Sequence, residues 1–296
     1  SEGWLVVQAY QRHLLQLGMV DSLVGELLEH LKAQGMFDRA LVIITADHGA
    51  SFYPGLMKRA VRGENRVDIG NIPLLVKYPG QSVGRVVDGL VRSIDIAPTI
   101  AALLGLSGAK QMDGADLRTM ETGEVKSVQI HRSARPSAII TLEDVRSLRL
   151  KTILRKERLF PHRGHGANDW FYPATEYEIV GRNAAELVGQ AQRNTLRADV
   201  WQKDSFRNLD LTQQELPLRT MGRLHGLAAT ESAPPLAIVL NGRVAAVTWS
   251  YTKDDAVLYS AMLPESYLRS GDNEIAVYAI GYGSGGSITL MPLDEG

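Results

Sequence analysis

Apolar residues follow two different patterns along the chain, and each pattern predicts a different kind of element. Near the N-terminus they recur three and four positions apart, which is the spacing of one face of an α-helix. We therefore predict an amphipathic helix from about Val6 to Gln34, ended by Gly35. The apolar positions that carry this prediction are Val20, Leu23, Val24, Leu27, Leu28 and Leu31.

Two later runs are continuously apolar instead of periodic. Leu41–Ala46 and Ile72–Tyr78 have the length of strands. Such runs are typical of central parallel strands that are covered on both faces, so both are predicted to be parallel strands. Residues 47–71 show little periodicity and predict a long loop, which in a compact domain is usually functional or disordered. A helix is expected in Ser93–Leu106, closed by Gly105.

The pattern changes past residue 120. The segment TLEDVRSLRLKTILRKERL favours a helix with a basic face, and short apolar runs separated by turn residues dominate from about residue 226 onward. Asn241 and Gly242 stand between two of these runs, which is a strong hairpin signal. We predict an α/β region in residues 1–120, a mixed α+β connecting region in 121–225 and a β-rich, sandwich-like domain in 226–296.

Charge and composition narrow the functional classes. The 32 basic and 33 acidic side chains nearly cancel, so no overall field favours nucleic acid or an anionic membrane surface. The chain contains no cysteine, which excludes disulfides, cysteine-ligated zinc and a cysteine nucleophile from it. Its apolar runs are shorter than the roughly 18 to 20 residues that a membrane-spanning helix needs.

An acid and a histidine follow the first apolar run. In open α/β sheets ligands bind beyond the carboxyl ends of the strands, and Asp47 and His48 fall at such an end. A carboxylate oxygen with an imidazole nitrogen suits Mn²⁺ or Zn²⁺ better than the all-oxygen shells typical of Ca²⁺ or Mg²⁺. Gly49 would supply the freedom to turn. The alternative is that Asp47 caps a turn and His48 is a polar loop residue.

Basic residues outnumber acidic ones four to two in the loop that follows. Arginine and lysine beside a metal bind sulfate or phosphate oxygens and offset charge that develops in a transition state, so the loop predicts an anionic substrate. The alternative is a solvated basic loop. The four cations are Lys58, Arg59, Arg62 and Arg66, and the two acids are Glu64 and Asp68.

Several of these stretches together resemble one family. The segment YQRHLLQLGMVDSLVGELLEHLKAQGMFDRALVIITADHG, followed by IPLLVKYPGQ and RSIDIAPTIAALLGL, resembles the second half of the sulfatase fold in the alkaline phosphatase superfamily. The resemblance covers about residues 8–118 and is closest to bacterial membrane-anchored sulfatase-like hydrolases. It implies an α/β fold, the C-terminal half of an alkaline-phosphatase-like domain, followed by the smaller β-rich domain.

The resemblance also implies an activity and a set of site residues. In this superfamily a divalent metal ion, here Mn, Zn or Ca, assists cleavage of a sulfuric or phosphoric ester. Asp47 and His48 match the family's second pair of metal ligands. Lys58, Arg59 or Arg62 resembles its oxyanion-binding cation. Sulfatases often have asparagine at the second place of the pair, so His48 leaves open both the metal and the choice between sulfate and phosphate chemistry.

The nucleophile and the first metal ligands of the family belong to the N-terminal half of its domain. We therefore expect this chain to be a C-terminal part that is inactive alone and has the missing N-terminal half as its partner. The resemblance implies an extracytoplasmic, soluble portion of a protein anchored in the membrane through other segments. The alternatives are a phosphoglycerol- or phosphoethanolamine-type phosphotransferase, a saccharide- or partner-binding module, and a defective fragment.

The remaining histidines and aromatics are predicted to be structural. His13 and His30 lie on the first helix, His131 and His225 are isolated, and His162 and His165 fall in a flexible insertion. Aromatic residues near that insertion predict a core edge, with a saccharide-stacking platform as the alternative. They are Trp170, Tyr172 and Tyr177.

Overall fold

The computed structural model describes most of the chain. It covers residues 2–56, 58–108, 111–120, 125–131, 136–161, 164, 166–173, 177–189, 195–213, 215–227, 233–283 and 286–296. These residues form two compact units, one made of Leu23–Arg155 and the other of the residues up to Ser22 together with those from Lys156 onward. Each unit is described by itself below.

Four α-helices and twelve strands occur in the described residues. The helices are α1 (Glu2–Ala33), α2 (Arg66–Gly70), α3 (Ile96–Leu103) and α4 (Leu142–Leu159). The strands are β1 (Val42–Thr45), β2 (Leu74–Lys77), β3 (Ser127–His131), β4 (Pro136–Thr141), β5 (Arg197–Ala198), β6 (Arg219–His225), β7 (Leu236–Leu240), β8 (Arg243–Thr248), β9 (Tyr251–Lys253), β10 (Ala256–Met262), β11 (Ile275–Tyr282) and β12 (Ile288–Pro292). Single 3₁₀ turns lie at Phe37–Arg39, Gly63–Asn65, Ser93–Asp95, Gly166–Phe171, Tyr177–Ile179, Ala184–Glu186, Lys203–Phe206 and Glu265–Tyr267.

The first predicted helix and its stop are confirmed. Gly35 has φ +62°, a left-handed conformation that residues with a Cβ adopt only at a cost. Its N–H donates to the carbonyl of Lys32 at 2.9 Å, and the N–H of Met36 donates to the carbonyl of Leu31 at 2.9 Å. These two bonds are the Schellman pattern, which satisfies the last carbonyls of a helix. Gly105 ends α3 in the same way, with φ +66°.

The prediction of two parallel strands is wrong in direction. β1 and β2 pair antiparallel, with Val42 opposite Lys77 and Thr45 opposite Leu74. Nor are they fully covered, because Leu75 is 57% exposed. A continuous apolar run indicates that a strand needs cover on both faces, but it carries no information about the direction of its neighbour. In the described residues these two strands pair only with each other.

Lys77 holds the connection between α1 and β1. Its ammonium donates to the carbonyl of Phe37 and, at 3.1 Å each, to those of Asp38 and Ala40. It also lies 4.6 Å from the centre of the Phe37 ring, a cation–π distance. The ammonium at the end of this strand therefore joins three backbone carbonyls, of which those of Phe37 and Asp38 also accept the N–H groups of Ala40 and Gly80.

Buried Asp95 organises the entry to α3. Its carboxylate accepts from the backbone N–H of Arg92 at 2.7 Å, from the guanidinium of Arg92 at 2.8 Å and from the backbone N–H of Ala115 at 2.9 Å. Thr99 Oγ1 donates to the carbonyl of Asp95 and accepts from the N–H of Leu117 at 2.9 Å. The side chains at the start of α3 thus fix the loop that follows it.

The connection from β4 to α4 is a capping box. Thr141 Oγ1 accepts from the N–H of Asp144 at 3.1 Å, and the Asp144 carboxylate accepts from the N–H of Thr141 at 3.0 Å. The two bonds satisfy donors that a helix leaves free at its start. This explains why the predicted helix begins here and why β4 ends at Thr141.

The second unit contains a β-sandwich. One sheet has the strand order β5-β6-β10-β9 and the other β12-β11-β7-β8, and every pairing within them is antiparallel. Their facing side chains form one apolar core, which includes Phe206, Leu224, Leu236, Ile238, Leu240, Tyr259, Leu263, Ile275 and Val277. The β-rich character expected of residues 226–296 is present, and the sheets begin earlier in the chain, at Arg197.

The predicted Asn241-Gly242 hairpin is confirmed. It joins β7 to β8, with φ +51° at Asn241 and +79° at Gly242, the two positive values of a type I′ turn. All five residues of β7 are buried. The reason is that the sandwich core covers one face of this sheet, whereas a second apolar cluster that includes Ile179 and Leu187 covers the other.

The first turns of α1 are bonded to this sandwich. The buried amide of Gln8 donates to Thr248 Oγ1 at 3.2 Å, and the Trp4 indole donates to the same oxygen at 3.1 Å. Trp4 also packs on Trp249, with the ring centres 4.7 Å apart. Farther along, Gln11 donates to the carbonyl of Phe171 at 2.8 Å. Polar bonds therefore fix the start of the helix, and several apolar positions predicted for its face, such as Leu23 and Leu27, are exposed.

Replacing Asp95 by alanine is expected to lower the free energy of unfolding by roughly 3 kcal/mol, because two partly buried backbone N–H groups lose their acceptor and the pair with the Arg92 guanidinium is lost. Denaturant unfolding of the purified chain measures the change. Asp113→Ala, an exposed acid in the loop that Asp95 organises, is the matched control and should leave stability within about 0.5 kcal/mol. Equal effects of the two substitutions would contradict this role of Asp95.

Candidate functional site

The residues that follow β1 open onto a cleft within the Leu23–Arg155 unit. Its volume is about 1350 Å³. Asp47 and His48 line it, as do Lys58 and Arg59 from the next loop and the strand β3. Four of the five predicted site residues therefore share one cleft, and Arg62 does not.

The side chains of Asp47 and His48 converge. Asp47 Oδ2 lies 3.6 Å from His48 Nε2, and Asp47 Oδ1 accepts the backbone N–H of His48 at 2.8 Å. The carboxylate is 87% exposed and the imidazole 37%. One oxygen of Asp47 is thus occupied by the backbone, whereas the other points toward the histidine and the solvent.

A backbone carbonyl fixes the proton of the His48 ring. Nδ1 lies 2.8 Å from the carbonyl oxygen of Gly49, and a carbonyl oxygen only accepts, so Nδ1 is the nitrogen that carries the hydrogen. In the neutral imidazole this leaves the lone pair on Nε2, the atom nearest to Asp47. A histidine that binds a metal usually donates its other N–H to a carbonyl or carboxylate in this way.

These two side chains fit a divalent ion of the Mn²⁺ or Zn²⁺ type. Two ligands about 2.1 Å from a tetrahedral metal lie about 3.4 Å apart, close to the 3.6 Å that separates the two atoms here. The mixed oxygen and nitrogen donors favour these ions over Ca²⁺. No group of three or more metal-ligating side chains occurs in the described part of the chain. The pair therefore supplies two ligands, and its metal-binding role stays a prediction.

Gly49 positions the pair by close packing rather than by an unusual turn. It is not among the glycines with positive φ, so the predicted freedom to turn is not what the position requires. Instead its N–H donates to the carbonyl of Ile69 at 2.8 Å, and a Cβ at this position would overlap the carbonyl oxygen of Asp68. The absence of a side chain thus allows the chain after His48 to lie against α2.

Gly70, at the end of α2, likewise allows a close contact because it has no side chain. A Cβ there would lie 2.5 Å from Cδ1 of Ile130 on β3 and 2.6 Å from Cδ1 of Ile140 on β4. The two isoleucines pack where that Cβ would be, which brings the β3–β4 hairpin against the helix. The short helix therefore has the Asp47–His48 segment against its backbone at one point and the hairpin at another.

The four cations of the loop have different surroundings. Lys58 and Arg59 line the cleft with the Asp47–His48 pair, and the Lys58 ammonium lies 5.3 Å from the centre of the Phe52 ring. Arg62 instead lines a separate pocket with Tyr53. Lys58 and Arg59 remain candidates for binding an anion beside the pair, whereas the location of Arg62 does not support that role.

Arg66 is occupied by an ion pair. Its guanidinium donates to Asp144 at 2.6 Å and to the carbonyl of Gly63 at 2.8 Å. The hydrogen bond from Arg66 is the largest cause that holds the pKa of Asp144 below its ordinary value, followed by the bond from the Thr141 backbone. Arg66 thus joins the predicted loop to the start of α4 and does not line the cleft.

Sequence reasoning missed a strand that lines the cleft. Ser127, Gln129 and His131 lie on the exposed face of β3, and all three line the cleft. The only signal was the alternation of polar and apolar residues in SVQIH, which is the period of a half-buried strand. His131, expected to be isolated, is therefore in the same cleft as His48.

The other predicted residues lie away from this cleft. His225 pairs with Asp199 at 2.9 Å in the sandwich unit. Tyr172 is buried and Trp170 lies where a side chain at position 18 would be, as expected of an aromatic core edge. His162 and His165 lie outside the described residues.

Comparison with known proteins identifies the first part of the chain. The sulfatase family model matches residues 5–106. This segment is a sulfatase segment of the alkaline phosphatase superfamily. It includes the Asp47–His48 pair, Gly49, Gly70 and most of the residues that line the cleft. No solved structure gives a significant match to the chain.

The proteins similar to this segment are named for several enzymatic activities. An endo-4-O-sulfatase of Bacteroides thetaiotaomicron is 37% identical over 89 residues, which are 29% of this chain and 17% of that protein. A multifunctional alkaline phosphatase superfamily protein of Trinickia caryophylli is 32% identical over 100 residues, 33% of this chain and 19% of that protein. An N-acetylglucosamine-6-sulfatase of Bos taurus is 33% identical over 109 residues, 36% and 19% respectively. The chain thus spans about a fifth of the length of the relatives it matches.

In the part of the chain that the structure describes, none of the helices combines the length and the apolar character needed to cross a bilayer.

Gly49→Ala is expected to lower the free energy of unfolding by about 1 to 3 kcal/mol, because the added methyl forces the backbone of α2 away. Gly25→Ala is the control, since this glycine lies in α1 with open space around its Cα and alanine favours helix by up to about 1 kcal/mol. Thermal unfolding of both variants and of the parent chain measures the change in stability. Loss of stability in Gly25→Ala but not in Gly49→Ala would refute the packing argument.

Asp144 should contribute to acid denaturation. Because its pKa is lowered in the folded chain, its stabilising effect is present above the unfolded pKa of about 3.9 and is lost as the pH falls through the folded value. Asp144→Asn is therefore expected to be less stable at pH 7 and to lose less stability between pH 7 and pH 3 than the parent chain. Urea unfolding at both pH values measures this, with exposed Asp38→Asn as the control. An unchanged pH dependence in Asp144→Asn would contradict it.

Proposed function

We propose that this chain is the C-terminal part of a metal-dependent sulfuric or phosphoric ester hydrolase of the sulfatase type, to which it contributes half of the metal site. The observation that carries the proposal is the convergence of Asp47 and His48 in a cleft of the sulfatase segment, with the Nε2 lone pair and one carboxylate oxygen facing each other. The pair has the donors, the spacing and the exposure that a bound ion requires.

Five residues in and beside the cleft are assigned roles in such a reaction. A divalent metal, when bound, lowers the pKa of a nucleophile and polarises an oxygen of the ester. Asp47 and His48 would hold that ion, and the hydrogen bond to the Gly49 carbonyl would keep the His48 ring in a tautomer whose Nε2 can bind it. Lys58 and Arg59 line the same cleft and offset the negative charge of the sulfate or phosphate oxygens.

The remaining catalytic groups belong to a partner segment. A catalytic metal generally has about three protein ligands and an open position, and the pair supplies two. The proposed partner is the N-terminal half of the sulfatase domain, with the nucleophile and the first metal ligands. Large apolar side chains of the Leu23–Arg155 unit that are half exposed, such as Leu23, Leu27 and Leu75, are consistent with a surface that this half covers. The resemblance further favours an extracytoplasmic part of a membrane-anchored protein.

Phosphoryl chemistry is the second candidate. The second member of the pair is a histidine, whereas sulfatases often have asparagine there, and one relative is named as a multifunctional member of the alkaline phosphatase superfamily. A phosphatase or a phosphotransferase would use the same pair and the same cations. The assay below therefore includes both kinds of ester.

The test compares the isolated chain with a full-length protein that contains it, on 4-nitrophenyl sulfate and 4-nitrophenyl phosphate with added Mn²⁺ or Zn²⁺. The isolated chain should show no turnover, because the proposal assigns the nucleophile to the partner segment. In the full-length protein, Asp47→Ala or His48→Ala should lower kcat/KM at least 100-fold while the fold stays intact, since neither residue buries much apolar surface.

Two exposed residues provide matched controls. Asp38→Ala and His30→Ala change the same residue types outside the cleft and should leave kcat/KM within about twofold. Robust turnover by the isolated chain that neither Asp47→Ala nor His48→Ala abolishes would show that the chemistry lies elsewhere. Turnover of the phosphate ester but not of the sulfate ester would support the second candidate, a phosphatase or phosphotransferase.

A further inference from the structure

The outer face of one sheet of the sandwich is basic. Successive side chains of a strand point to opposite faces. In the sheet β5-β6-β10-β9 the side chains of Leu224, Val257 and Tyr259 belong to the core, so the positions that alternate with them face outward. The four strands of this sheet contain no aspartate or glutamate. Their outward positions include four exposed cations, which are Arg197, Arg219, Arg223 and Lys253.

The start of α1 lies on this face. The Gln8 amide donates to the backbone carbonyl of Ser260 in the inner strand β10. Ser260 Oγ accepts a hydrogen bond from Nε of Arg219 at 3.1 Å. Residues four positions apart in a helix lie on the same side of it, so Arg12 is on the side of α1 that meets the sheet at Gln8. The contact between helix and sheet thus brings the side chains of Arg12 and Arg219 to the same place.

The two guanidiniums are close enough to repel each other. Burial is the largest cause that lowers the pKa of Arg12 below its ordinary value, and the positive charge of Arg219 is the second. The third is Tyr251, which acts in the opposite direction. No ion pair between described residues involves either arginine. A partly buried cation therefore lies beside a like charge, an arrangement that an anion would stabilise.

A phosphate group suits this arrangement better than a carboxylate does. One guanidinium presents a planar fork of donors that pairs with both oxygens of a carboxylate, which would leave the second guanidinium without an anion. A phosphate monoester has three acceptor oxygens and roughly 1.5 to 2 negative charges at neutral pH, so it can accept from two guanidiniums and offset both charges. Tyr251 lies opposite Leu258, two residues before Ser260 in β10, and its hydroxyl is a further donor on this side of the sheet.

We propose that Arg12 and Arg219 form a binding site for a phosphate group, carried by a soluble phosphate ester or by a lipid headgroup. The site belongs to the unit that contains the sandwich, whereas the Asp47–His48 cleft belongs to the Leu23–Arg155 unit. It uses neither a metal nor a nucleophile and does not depend on the proposed function. The isolated chain should therefore bind phosphate and be stabilised by it, because the anion offsets the repulsion between the two guanidiniums.

The deciding experiment is isothermal titration calorimetry of the 296-residue chain with inorganic phosphate, at constant ionic strength and at about pH 8, where phosphate is mostly the dianion. Saturable binding is expected in the parent chain. Arg12→Gln and Arg219→Gln should each weaken it at least tenfold. Arg223→Gln is the matched control, since this exposed cation is on the same face of β6 but about 13 Å from Arg219 along the strand. It should change the affinity by no more than about twofold.

Two further titrations identify what carries the phosphate group. One uses glycerol 3-phosphate, and the other uses phosphatidylcholine vesicles with and without phosphatidic acid. Vesicle binding that requires phosphatidic acid and both arginines would assign the site to a lipid headgroup. Binding of glycerol 3-phosphate but not of the vesicles would assign it to a soluble ester.

Several results would overturn the inference. They are no binding of phosphate by the parent chain, binding that neither Arg12→Gln nor Arg219→Gln weakens, and an equal loss in Arg223→Gln. Thermal unfolding detects a variant that does not fold, and Arg12→Lys then serves in place of Arg12→Gln because it keeps the charge but removes the fork, so that it should also weaken binding. Failure of the full-length protein to hydrolyse any ester would refute the proposed function and leave this titration as a valid test.

Discussion

The contacts of bare backbone in the C-terminal half of the short helix α2 are the constraint on which the cleft depends. On one side Gly49 lies so close to the carbonyls of Asp68 and Ile69 that no side chain fits. Next to these residues in the helix, Gly70 leaves the space that Ile130 and Ile140 occupy. A five-residue helix has little stability of its own, so its place is determined by these packing contacts. The Asp47–His48 pair and the strand β3 are consequently held by contacts with the same short helix.

Hydrogen bonds within the chain determine which charged and polar groups remain available in the cleft. The Gly49 carbonyl accepts a hydrogen bond from Nδ1–H of His48, which leaves Nε2 facing Asp47. Arg66, although close in sequence, is bonded to Asp144 and stabilises the start of α4. The local positive charge therefore comes from Lys58 and Arg59. This explains how a chain with nearly balanced charge can favour an anion at one place, in keeping with its sulfatase segment.

The features that depend on one or two residues were predicted correctly from the sequence. Gly35, Gly105 and the Asn241-Gly242 turn adopt left-handed conformations that follow from the residue type alone. The direction of β1 relative to β2 was not predictable, because an apolar run indicates a need for cover and not which neighbour provides it. The role of the strand β3 was missed for a related reason: a short strand with alternating polarity is common, and only its packing on Gly70 places it beside the cleft. The pair itself was found because an acid and a histidine directly after a strand are unusual.

The central claim is that Asp47 and His48 bind one divalent ion together, and the NMR signals of the histidine rings test it most directly. In a long-range ¹H–¹⁵N spectrum of the chain, which has seven histidines, substoichiometric Mn²⁺ broadens the signals of any imidazole close to the bound ion, even when binding is weak. The account predicts selective broadening of His48, with Nδ1 as the protonated nitrogen before metal is added, and loss of that selectivity in Asp47→Ala. Equal broadening of all histidines, or broadening of His48 that persists unchanged without the Asp47 carboxylate, would contradict it.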